Sequence, residues 1–418
     1  MSVSTEMPLE GIRILDLTRL LPGGFCSQWL ADFGAEVIKV EDTGAGDYIR
    51  FAPPYYEGTG GSEDEIASTR SALYLSLNRG KRSIRLDLKS DSGHAAFLRL
   101  VETADVLLEG FRPGVMDRLG LGFETLIEVN PGLVYCAITG YGQDGPNRDR
   151  AGHDINYLGS TGLLDMTGSA DGPPVQPAAQ IGDLGGGAMT AAFGVMTALF
   201  AKQRTGRGQM VDISMTDGAM SWLAMVAGAF FADGRVPSRG ASMLNGGVCC
   251  YLPYEAADGW VSCGALEPKF WLKFCAGVDR PELAEHQFDQ PGSAGWSKIA
   301  EVFKAKTRAE WKAFNDVHDC CIEPILDVAE AMDSELARER GMVVEFEQPG
   351  LGPVRQVGNP VKLSETPAAD PRPAPAIGAD TEAVLAESGF SPEEISALIE
   401  SGAAAGPGGD LDGPVFRA

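Results

Sequence analysis

The sequence has 418 residues, 44% hydrophobic and 22% charged, which is the balance of an ordinary globular protein with enough chain for two structural units. Its 34 basic and 58 acidic residues give a formal net charge of -24, which argues against binding to nucleic acid or to anionic lipid. An anionic ligand would therefore need basic residues that are gathered locally.

The chain begins without the signals of export or membrane insertion. Residues 1–11 have no basic start and no apolar run, so we expect no secretory signal. The longest nearly uninterrupted apolar runs, 188–201 and 219–232, are shorter than the roughly 20 residues that a bilayer requires. The eight cysteines show no Cys-x-x-Cys spacing, which favours free buried thiols over disulfides or a zinc site. We therefore expect a cytoplasmic protein with no membrane partner and no metal.

Short apolar strands and helices alternate through the first half of the chain. The pattern opens with a strand at 12–17, a break at Pro22-Gly23-Gly24, a helix at 25–33 and a second strand at 37–40. Further strands are predicted at 106–108, 133–138 and 209–214, and helices at 90–104, 188–202 and, mostly buried, 219–231. This alternation predicts an α/β fold with a doubly wound sheet. The absence of Gly-x-Gly-x-x-Gly argues against a nicotinamide cofactor.

The pattern changes after residue 233. Aromatic strands at 250–254 and 260–263 flank an Asp258-Gly259 hairpin signal, and helices follow at 268–276, 293–305 and 308–318. A polar loop is predicted at 44–71, and Ser391 with Glu394 forms a capping box for a last helix. The predicted domains are a large domain from 1–233 and 346–402, a smaller α+β domain at 234–345, and a loose tail at 403–418.

Two basic turns stand out in this acidic chain. Lys81 and Arg82 belong to its densest basic cluster, and Arg112 lies in Phe111-Arg112-Pro113-Gly114, directly after a predicted strand. A solvated turn is the ordinary interpretation of either one. Because two such turns follow one another, and because arginine holds phosphate oxygens bidentately, we interpret them as phosphate-binding.

A histidine and an aspartate mark the central stretch. His153 is one of four histidines and lies in Gly152-His153-Asp154-Ile155-Asn156-Tyr157, while Asp183 precedes three glycines and a predicted helix. Singly, a surface ion pair and a helix cap are the ordinary interpretations. Histidine and aspartate are also common acid/base groups in catalysis, so both are candidates for proton transfer.

These residues carry a family resemblance that covers nearly the whole chain. The sequence resembles the class III coenzyme A transferase and α-methylacyl-CoA racemase superfamily in five segments: Ala31-Asp32-Phe33-Gly34-Ala35-Glu36-Val37, Leu77-Asn78-Arg79-Gly80-Lys81-Arg82-Ser83, Glu109-Gly110-Phe111-Arg112-Pro113-Gly114-Val115, Gly182-Asp183 and Gly206-Arg207-Gly208-Gln209. The resemblance implies a Rossmann-like large domain made from both chain ends, a small domain from the middle, and an interlocked homodimer.

The resemblance also implies the chemistry. Racemases of the superfamily carry a histidine in a Gly-His-Asp-x-Asn-Tyr segment, present here at 152–157, with a catalytic aspartate 30 positions later, as for His153 and Asp183. This favours the α-methylacyl-CoA racemase branch, in which two groups invert the α-carbon of a 2-methylacyl-CoA thioester. The alternatives are a transferase with Asp183 as its nucleophile and a silent acyl-CoA-binding dimer. Which acyl group is accepted stays open.

Further residues are assigned around this pair. Asp154 and, by resemblance, Glu267 are candidates to orient or polarise His153, and backbone N–H groups near Asp183 and Gly185 to stabilise the enolate oxygen. Coenzyme A is part of the substrate, and no separate cofactor is expected. Its predicted contacts are Arg112, Lys81 and Arg82 at the phosphates and, by resemblance, Leu88, Lys89 and Arg118 around the nucleotide.

Overall fold

The computed structural model describes residues 7–58 and 70–408. Its strands are β1 (Arg13–Asp16), β2 (Glu36–Glu41), β3 (Arg82–Leu86), β4 (Val106–Glu109), β5 (Val134–Thr139), β6 (Met210–Ser214), β7 (Tyr251–Ala256), β8 (Gly259–Gly264), β9 (Ile322–Pro324), β10 (Val343–Gln348), β11 (Gly352–Val357) and β12 (Ala404–Ala405). Parts of the predicted loop at 44–71 and of the predicted tail at 403–418 lie outside the described residues.

The α-helices within the described residues are α1 (Leu21–Asp32), α2 (Ala72–Asn78), α3 (Asp91–Val101), α4 (Val115–Arg118), α5 (Phe123–Val129), α6 (Asp154–Thr161), α7 (Leu163–Met166), α8 (Thr190–Thr205), α9 (Met215–Ser221), α10 (Ala224–Asp233), α11 (Pro268–Gly277), α12 (Ala294–Lys304), α13 (Arg308–His318), α14 (Val328–Met332), α15 (Glu335–Glu339), α16 (Thr381–Glu387) and α17 (Pro392–Glu400). Two short 3₁₀ helices span Tyr48–Phe51 and Pro281–His286, and a π-helix spans Ile181–Met189.

The chain divides into two compact units. The first contains residues up to 161, 179–221 and those from 336 on, and the second contains 162–178 and 222–335. The first unit thus draws on both chain ends, with divisions at 221 and 335 where the sequence suggested 233 and 345. The predicted domain bounds stay predictions.

A seven-stranded sheet forms the centre of the first unit. Its order is β12-β3-β2-β1-β4-β5-β6, and every neighbouring pair is parallel except β12 with β3. Successive residues of β1 enter different cores, Ile14 on one face and Leu15 on the other, so both faces are covered. The predicted α/β sheet is therefore confirmed. Its strand order reverses between β1 and β4, and ligands of such sheets bind at this switch point, beyond the carboxyl ends of the strands.

The second unit has its own core. Strands β7, β8 and β9 form an antiparallel sheet, with the Asp258-Gly259 hairpin at the predicted place. Trp271, Phe274, Phe303 and Trp311 are fully buried beside it, and their rings contact one another.

Three local predictions are corrected by the structure. Helix α1 begins at Leu21 and includes Pro22-Gly23-Gly24, because proline suits the first turn of a helix. The predicted buried helix at 219–231 is two helices, and the second, α10, exposes Met225 and Phe231. The start of the predicted tail is not loose, since Ala404 pairs with Leu86 of β3.

Other local predictions are confirmed. Helix α17 has the reciprocal capping box of Ser391 and Glu394, and all eight cysteines are free thiols. The apolar stretch Ile181–Thr205 is longer than expected, because the π-helix runs into α8. It is long and apolar enough to cross a membrane, and 44% of its most apolar 18 residues are buried inside the protein. Buried core helices of soluble proteins can have the same length and composition.

Candidate active site

His153 lies at the start of α6. Its backbone N–H donates to Oδ1 of Asn156 at 3.0 Å, while the N–H groups of Asn156 and Tyr157 donate to the His153 carbonyl. The Asn156 side chain thus caps the backbone at the helix start, which is one half of a capping box. The imidazole is exposed and has no hydrogen-bond partner within 7–58 and 70–408. The motif therefore holds the backbone and leaves the ring open to a ligand.

Gly152 is required by the aromatic side chain five residues later. The Tyr157 hydroxyl donates to the Gly152 carbonyl at 2.5 Å, and its ring lies edge-on to Tyr141 with 5.3 Å between centroids. A Cβ atom at position 152 would lie 2.7 Å from the Tyr157 ring, which is too close for any side chain. The spacing of glycine and tyrosine in the motif thus comes from packing next to His153.

Asp183 lies in the first turn of the π-helix. Such helices are rare in proteins, and those that occur often lie at functional sites. The π-helix packs closely on α9, since a Cβ at Gly186 would lie 2.4 Å from the Met215 carbonyl oxygen. The sequence predicted a helix start here, but the wider turn depends on this contact with α9, which no local pattern indicates.

Asp154 connects the two motifs, and its predicted role is corrected. Its Oδ1 accepts from the backbone N–H of Gly182 at 2.6 Å and of Asp183 at 3.1 Å, so it holds the π-helix start and not His153. Its Oδ2 is buried without a hydrogen-bond partner among the described residues. Because the backbone N–H of Asp183 already donates a hydrogen bond to Asp154, it is not available to an enolate oxygen.

The carboxyl group of Asp183 is electrostatically perturbed. Burial, and secondly the charge of Asp154, raise the pKa of Asp183 to about 6. Both causes disfavour the ionised form. A carboxyl with this pKa exchanges protons near neutral pH, as a group that both takes and returns a proton must.

His153 and Asp183 line one pocket of about 340 Å³, which we call the reaction pocket. Its wall also contains the segment after β1, from Leu17 to Leu20, and the turn after β4 that carries Arg112. These two segments flank the switch point of the sheet. The topology thus positions the pocket where α/β sheets bind ligands.

A second pocket of about 460 Å³ adjoins the first, and we call it the arginine pocket. It shares His153, Tyr157 and Arg112 with the reaction pocket and adds Arg148 and Arg150. No described residue in its lining is a carboxylate. In a chain of net charge -24 this is the local gathering of basic groups that an anionic ligand needs.

Lys81 does not have its predicted role. Its side chain is fully buried, and Nζ lies 3.2 Å from Oδ2 of Asp16 and donates to the Gly24 carbonyl. Burial lowers the pKa of its ammonium group to about 8. Asp16 in turn accepts from the N–H and hydroxyl of Thr18 in the reaction pocket wall. Lys81 therefore stabilises the loop after β1 and does not reach a phosphate.

Arg82 is also occupied. Its guanidinium lies 2.7 Å from Glu36, 2.5 Å from Glu387 and 3.6 Å from Asp380. A phosphate would have to displace these carboxylates, which contradicts the predicted phosphate contact.

The remaining predicted residues do not line either pocket. Arg118 ends α4 and Lys89 follows β3, both exposed, while Leu88 packs against the core on one face of the sheet. Glu267 belongs to the second unit, at the position before α11. The roles of these four residues stay predictions.

Arg19, Arg148 and Arg150 were not among the predicted site residues. Arg148 and Arg150 lie five and three positions before His153, so their proximity to the motif was a usable signal. Their convergence with Arg112 depends on the neighbouring ends of β4 and β5, which is a long-range contact.

Fold and pockets together define a class of protein: a Rossmann-like α/β protein whose switch-point pocket holds two unlike ionisable side chains beside a cluster of arginines. The model of CoA-transferase family III matches residues 9–381. The chain belongs to this family.

Individual relatives include both enzyme types of the family. The chain is 37% identical to the alpha-methylacyl-CoA racemase of Mus musculus, over 94% of this chain and 96% of the relative. It is 32% identical to the succinyl-CoA:glutarate CoA-transferase of Homo sapiens, over 91% and 86% respectively. Among solved structures, a CAIB/BAIF family protein from Brucella suis superposes with a TM-score of 0.78 at 29% identity, covering 91% of this chain and 99% of that one.

Proposed function

We propose that this protein racemises the α-carbon of 2-methylacyl-CoA thioesters by two-base proton transfer through an enolate. The observation that carries the proposal is that His153 and Asp183 line the same pocket. Inverting a carbon requires removing its proton on one face and returning one on the other, so two acid/base groups must flank it. Similarity to racemases at 36–37% identity supports this choice within the family.

The raised pKa of Asp183 makes the pair suitable for both directions. An ordinary carboxyl is far more acidic than an imidazole, whose pKa in model peptides is about 6.5. With the pKa of Asp183 at about 6, the carboxyl is close to a typical histidine in proton affinity. The Asp183 carboxyl is then not held in one protonation state, so it can both take and return a proton.

The substrate must be held as an acyl-CoA thioester. Arg112 lines both pockets, and among the described residues its side chain has no carboxylate partner, so we propose that it contacts coenzyme A. We also propose a homodimer in the cytoplasm. Association of two copies would cover apolar side chains of the first unit that are exposed on α8, where Phe193 is 74% and Phe200 63% exposed.

A transferase with Asp183 as nucleophile is the second candidate. It is favoured by the transferases among the relatives and by an Asp183 carboxyl that is open in the reaction pocket. In that reaction the carboxylate attacks the thioester carbonyl, coenzyme A leaves, and an acyl anhydride forms on Asp183. The histidine would then have no essential part in the chemistry.

Isotope exchange separates the two candidates. Purified protein with one epimer of a 2-methylacyl-CoA in deuterated water should give α-deuterated product of both configurations. His153→Ala and Asp183→Asn should each abolish inversion, whereas His94→Gln, at a position outside both pockets, should not. No exchange at all would reject the racemase, and inversion without a requirement for His153 would reject the assignment of His153 as one of the two bases.

The transferase has its own signature. Hydroxylamine added with an acyl-CoA donor would cleave the acyl anhydride, converting the Asp183 carboxyl into a hydroxamate and releasing the free acid, and mass spectrometry would detect the modified aspartate. His153→Ala would leave that modification largely intact.

A further inference from the structure

The wall of the reaction pocket includes a strained backbone segment. It is formed by the four residues between β1 and α1, from Leu17 to Leu20, which we call the β1–α1 loop. The backbone of Leu20 has φ of 61° and ψ of -145°, close to a region that is essentially confined to glycine. Among the described residues that line the two pockets, Leu20 alone has a positive φ without being glycine. Such strain persists only where the surrounding structure imposes it, and it clusters at active sites.

A fully buried lysine of β2 contacts this loop. The ammonium group of Lys39 donates to the Thr18 carbonyl at 2.9 Å and lies 2.8 Å from Oδ2 of Asp47, and the side chains of Lys39 and Asp47 are each 1% exposed. Burial alone would lower the pKa of Lys39, but the carboxylates around it, that of Asp47 foremost, raise the pKa above its ordinary value. The ammonium group therefore stays charged at neutral pH and keeps its proton for the Thr18 carbonyl.

Asp47 connects the same ion pair to the loop at a second point. Its Oδ1 accepts from the backbone N–H of Ile49 at 3.1 Å and, at a longer 3.4 Å, from that of Leu20. The first of these bonds caps the 3₁₀ helix that begins with Tyr48, and Tyr48 lines both pockets. The ion pair thus contacts the loop at two backbone groups and fixes the start of this helix as well.

The kind of contact argues for a role beyond stability. A buried ion pair is weak evidence for stability, because replacing both partners by apolar groups is often neutral or stabilising. Leu20 also packs against an apolar cluster that includes Ile49 and Tyr74, but apolar contacts have no direction and do not select one backbone conformation. Hydrogen bonds to a carbonyl and to an N–H group are directional, so they can impose the strained angles.

We propose that Lys39 and Asp47 are positioning residues of the reaction pocket, and that their ion pair holds the β1–α1 loop in the strained conformation that faces the thioester. The kinetic consequence rests on the proposed function, because it takes the reaction pocket as the place where the α-proton moves. Neither residue is among the described residues that line the pocket, so both act through the loop. No covalent step is involved. Loss of the pair should therefore affect kcat more than the affinity for coenzyme A.

Removing both charges tests the ion pair without leaving either charge unpaired. In the charge-free variant Lys39→Met/Asp47→Asn, the asparagine oxygen still caps the 3₁₀ helix, while the Thr18 carbonyl loses its donor. The kcat of α-deuteration should fall about 10- to 100-fold, with affinity for free coenzyme A unchanged within about 2-fold, as expected for a displaced pocket wall. Asp47→Asn alone keeps the lysine and should show the same effects at smaller size, so it replaces the charge-free variant if circular dichroism shows that one to be unfolded.

A second buried ion pair supplies the matched control. Arg79 and Asp32 lie 2.7 Å apart, their side chains are 3% and 7% exposed, and neither lines either pocket. Arg79→Met/Asp32→Asn should leave kcat within about 2-fold of the intact protein, whatever its effect on stability. Hydrogen exchange measured by mass spectrometry adds a readout that is independent of turnover. The amides of the β1–α1 loop should exchange faster in the charge-free variant and at the intact rate in the control.

Glycine at position 20 provides a test of the strain itself. Because glycine adopts a positive φ without steric cost, Leu20→Gly should make the loop less dependent on the ion pair. The loss of kcat between the protein with the ion pair and the charge-free variant should shrink by about 5- to 10-fold when both carry Leu20→Gly. A pair that only stabilised the fold would cause the same loss in both backgrounds.

Three results would overturn the proposal: a charge-free variant with the kcat of the control, unchanged exchange of the loop amides, or a loss of kcat that Leu20→Gly leaves as large as before. Failure of the proposed function looks different. If the intact protein gives no α-deuteration, the racemase proposal fails, and the amide exchange still decides whether the ion pair holds the loop. Deuteration that the charge-free variant performs as well as the control rejects the positioning role alone.

Discussion

Replacing Asp154 tests how Asp183 is held and charged. The Asp154 carboxylate has two separable effects, since one oxygen accepts the N–H groups of Gly182 and Asp183 while its charge acts on the Asp183 carboxyl. Asparagine keeps an oxygen acceptor and removes the charge. Alanine removes both. The two variants therefore separate the effect of Asp154 on the orientation of Asp183 from its effect on the pKa of Asp183.

The magnitudes follow from the structure. The pKa of Asp183 rises from 3.8 to about 6, and burial is the larger of the two causes, so the charge of Asp154 accounts for less than half of the rise. Asp154→Asn should therefore lower the pKa of Asp183 by at most about one pH unit, or about 1.4 kcal/mol. Asp154→Ala leaves two N–H groups unpaired and should lower the free energy of unfolding by about 2–4 kcal/mol.

The assays are urea unfolding and the pH dependence of α-deuteration. In Asp154→Asn the acidic limb of the kcat/KM profile should move to lower pH, because Asp183 ionises more readily, with unfolding close to that of the intact protein. In Asp154→Ala stability should fall as well. If asparagine leaves the acidic limb where it was, or if both variants behave alike, Asp154 does not act through charge on Asp183.

Three other substitutions have defined outcomes. Glu109 ends β4 and is 4% exposed, and burial raises the pKa of its carboxyl to about 7. The folded state favours the protonated form, so the stability that this group contributes is lost as pH rises from about 4.5 through 7. In urea unfolding, Glu109→Gln should have a free energy of unfolding about 1–3 kcal/mol above that of the intact protein at pH 8, and nearly the same value at pH 4. Arg79→Met should lower the free energy of unfolding by about 3–5 kcal/mol in the same assay, because it removes the guanidinium that lies 2.7 Å from the buried carboxylate of Asp32. Replacement of the exposed Arg204 by Met should have little effect. Gly152→Ala should displace the ring of Tyr157 and lower kcat, with a smaller effect on the free energy of unfolding. A loss of stability without a loss of kcat would contradict this expectation.

Local signals were sufficient for much of the fold. The capping box of Ser391 and Glu394, the Asp258-Gly259 hairpin and the alternation of strands with helices are short-range patterns, and each formed where it was predicted. One local pattern was interpreted wrongly, because proline both breaks helices and suits their first turn. A proline and two glycines predicted a break, but α1 includes all three in its first turn.

The candidate site divides in the same way. His153 and Asp183 were identifiable by residue type and glycine context, and their common pocket follows from the fold. Lys81 was misassigned because a basic turn has the same sequence whether its ammonium faces solvent or a buried aspartate 65 positions earlier. The role of Asp154 was misassigned because its partners lie 28 and 29 residues away, and a neighbour in sequence was the more obvious choice.

The overall charge and the pocket charge act in opposite directions on an anionic thioester. A net charge of -24 repels such a ligand at long range, yet salt screens exposed charges beyond roughly 8–10 Å, while contacts inside a pocket are screened much less. Many basic side chains cannot contribute at contact range, since Lys81 and Arg82 are held by carboxylates of the fold. In the function that we propose, the attraction therefore comes from the arginines that line the pockets. Recognition of the anion would then depend on which guanidinium groups the fold leaves open to a ligand, and the number of basic residues in the chain says little about it.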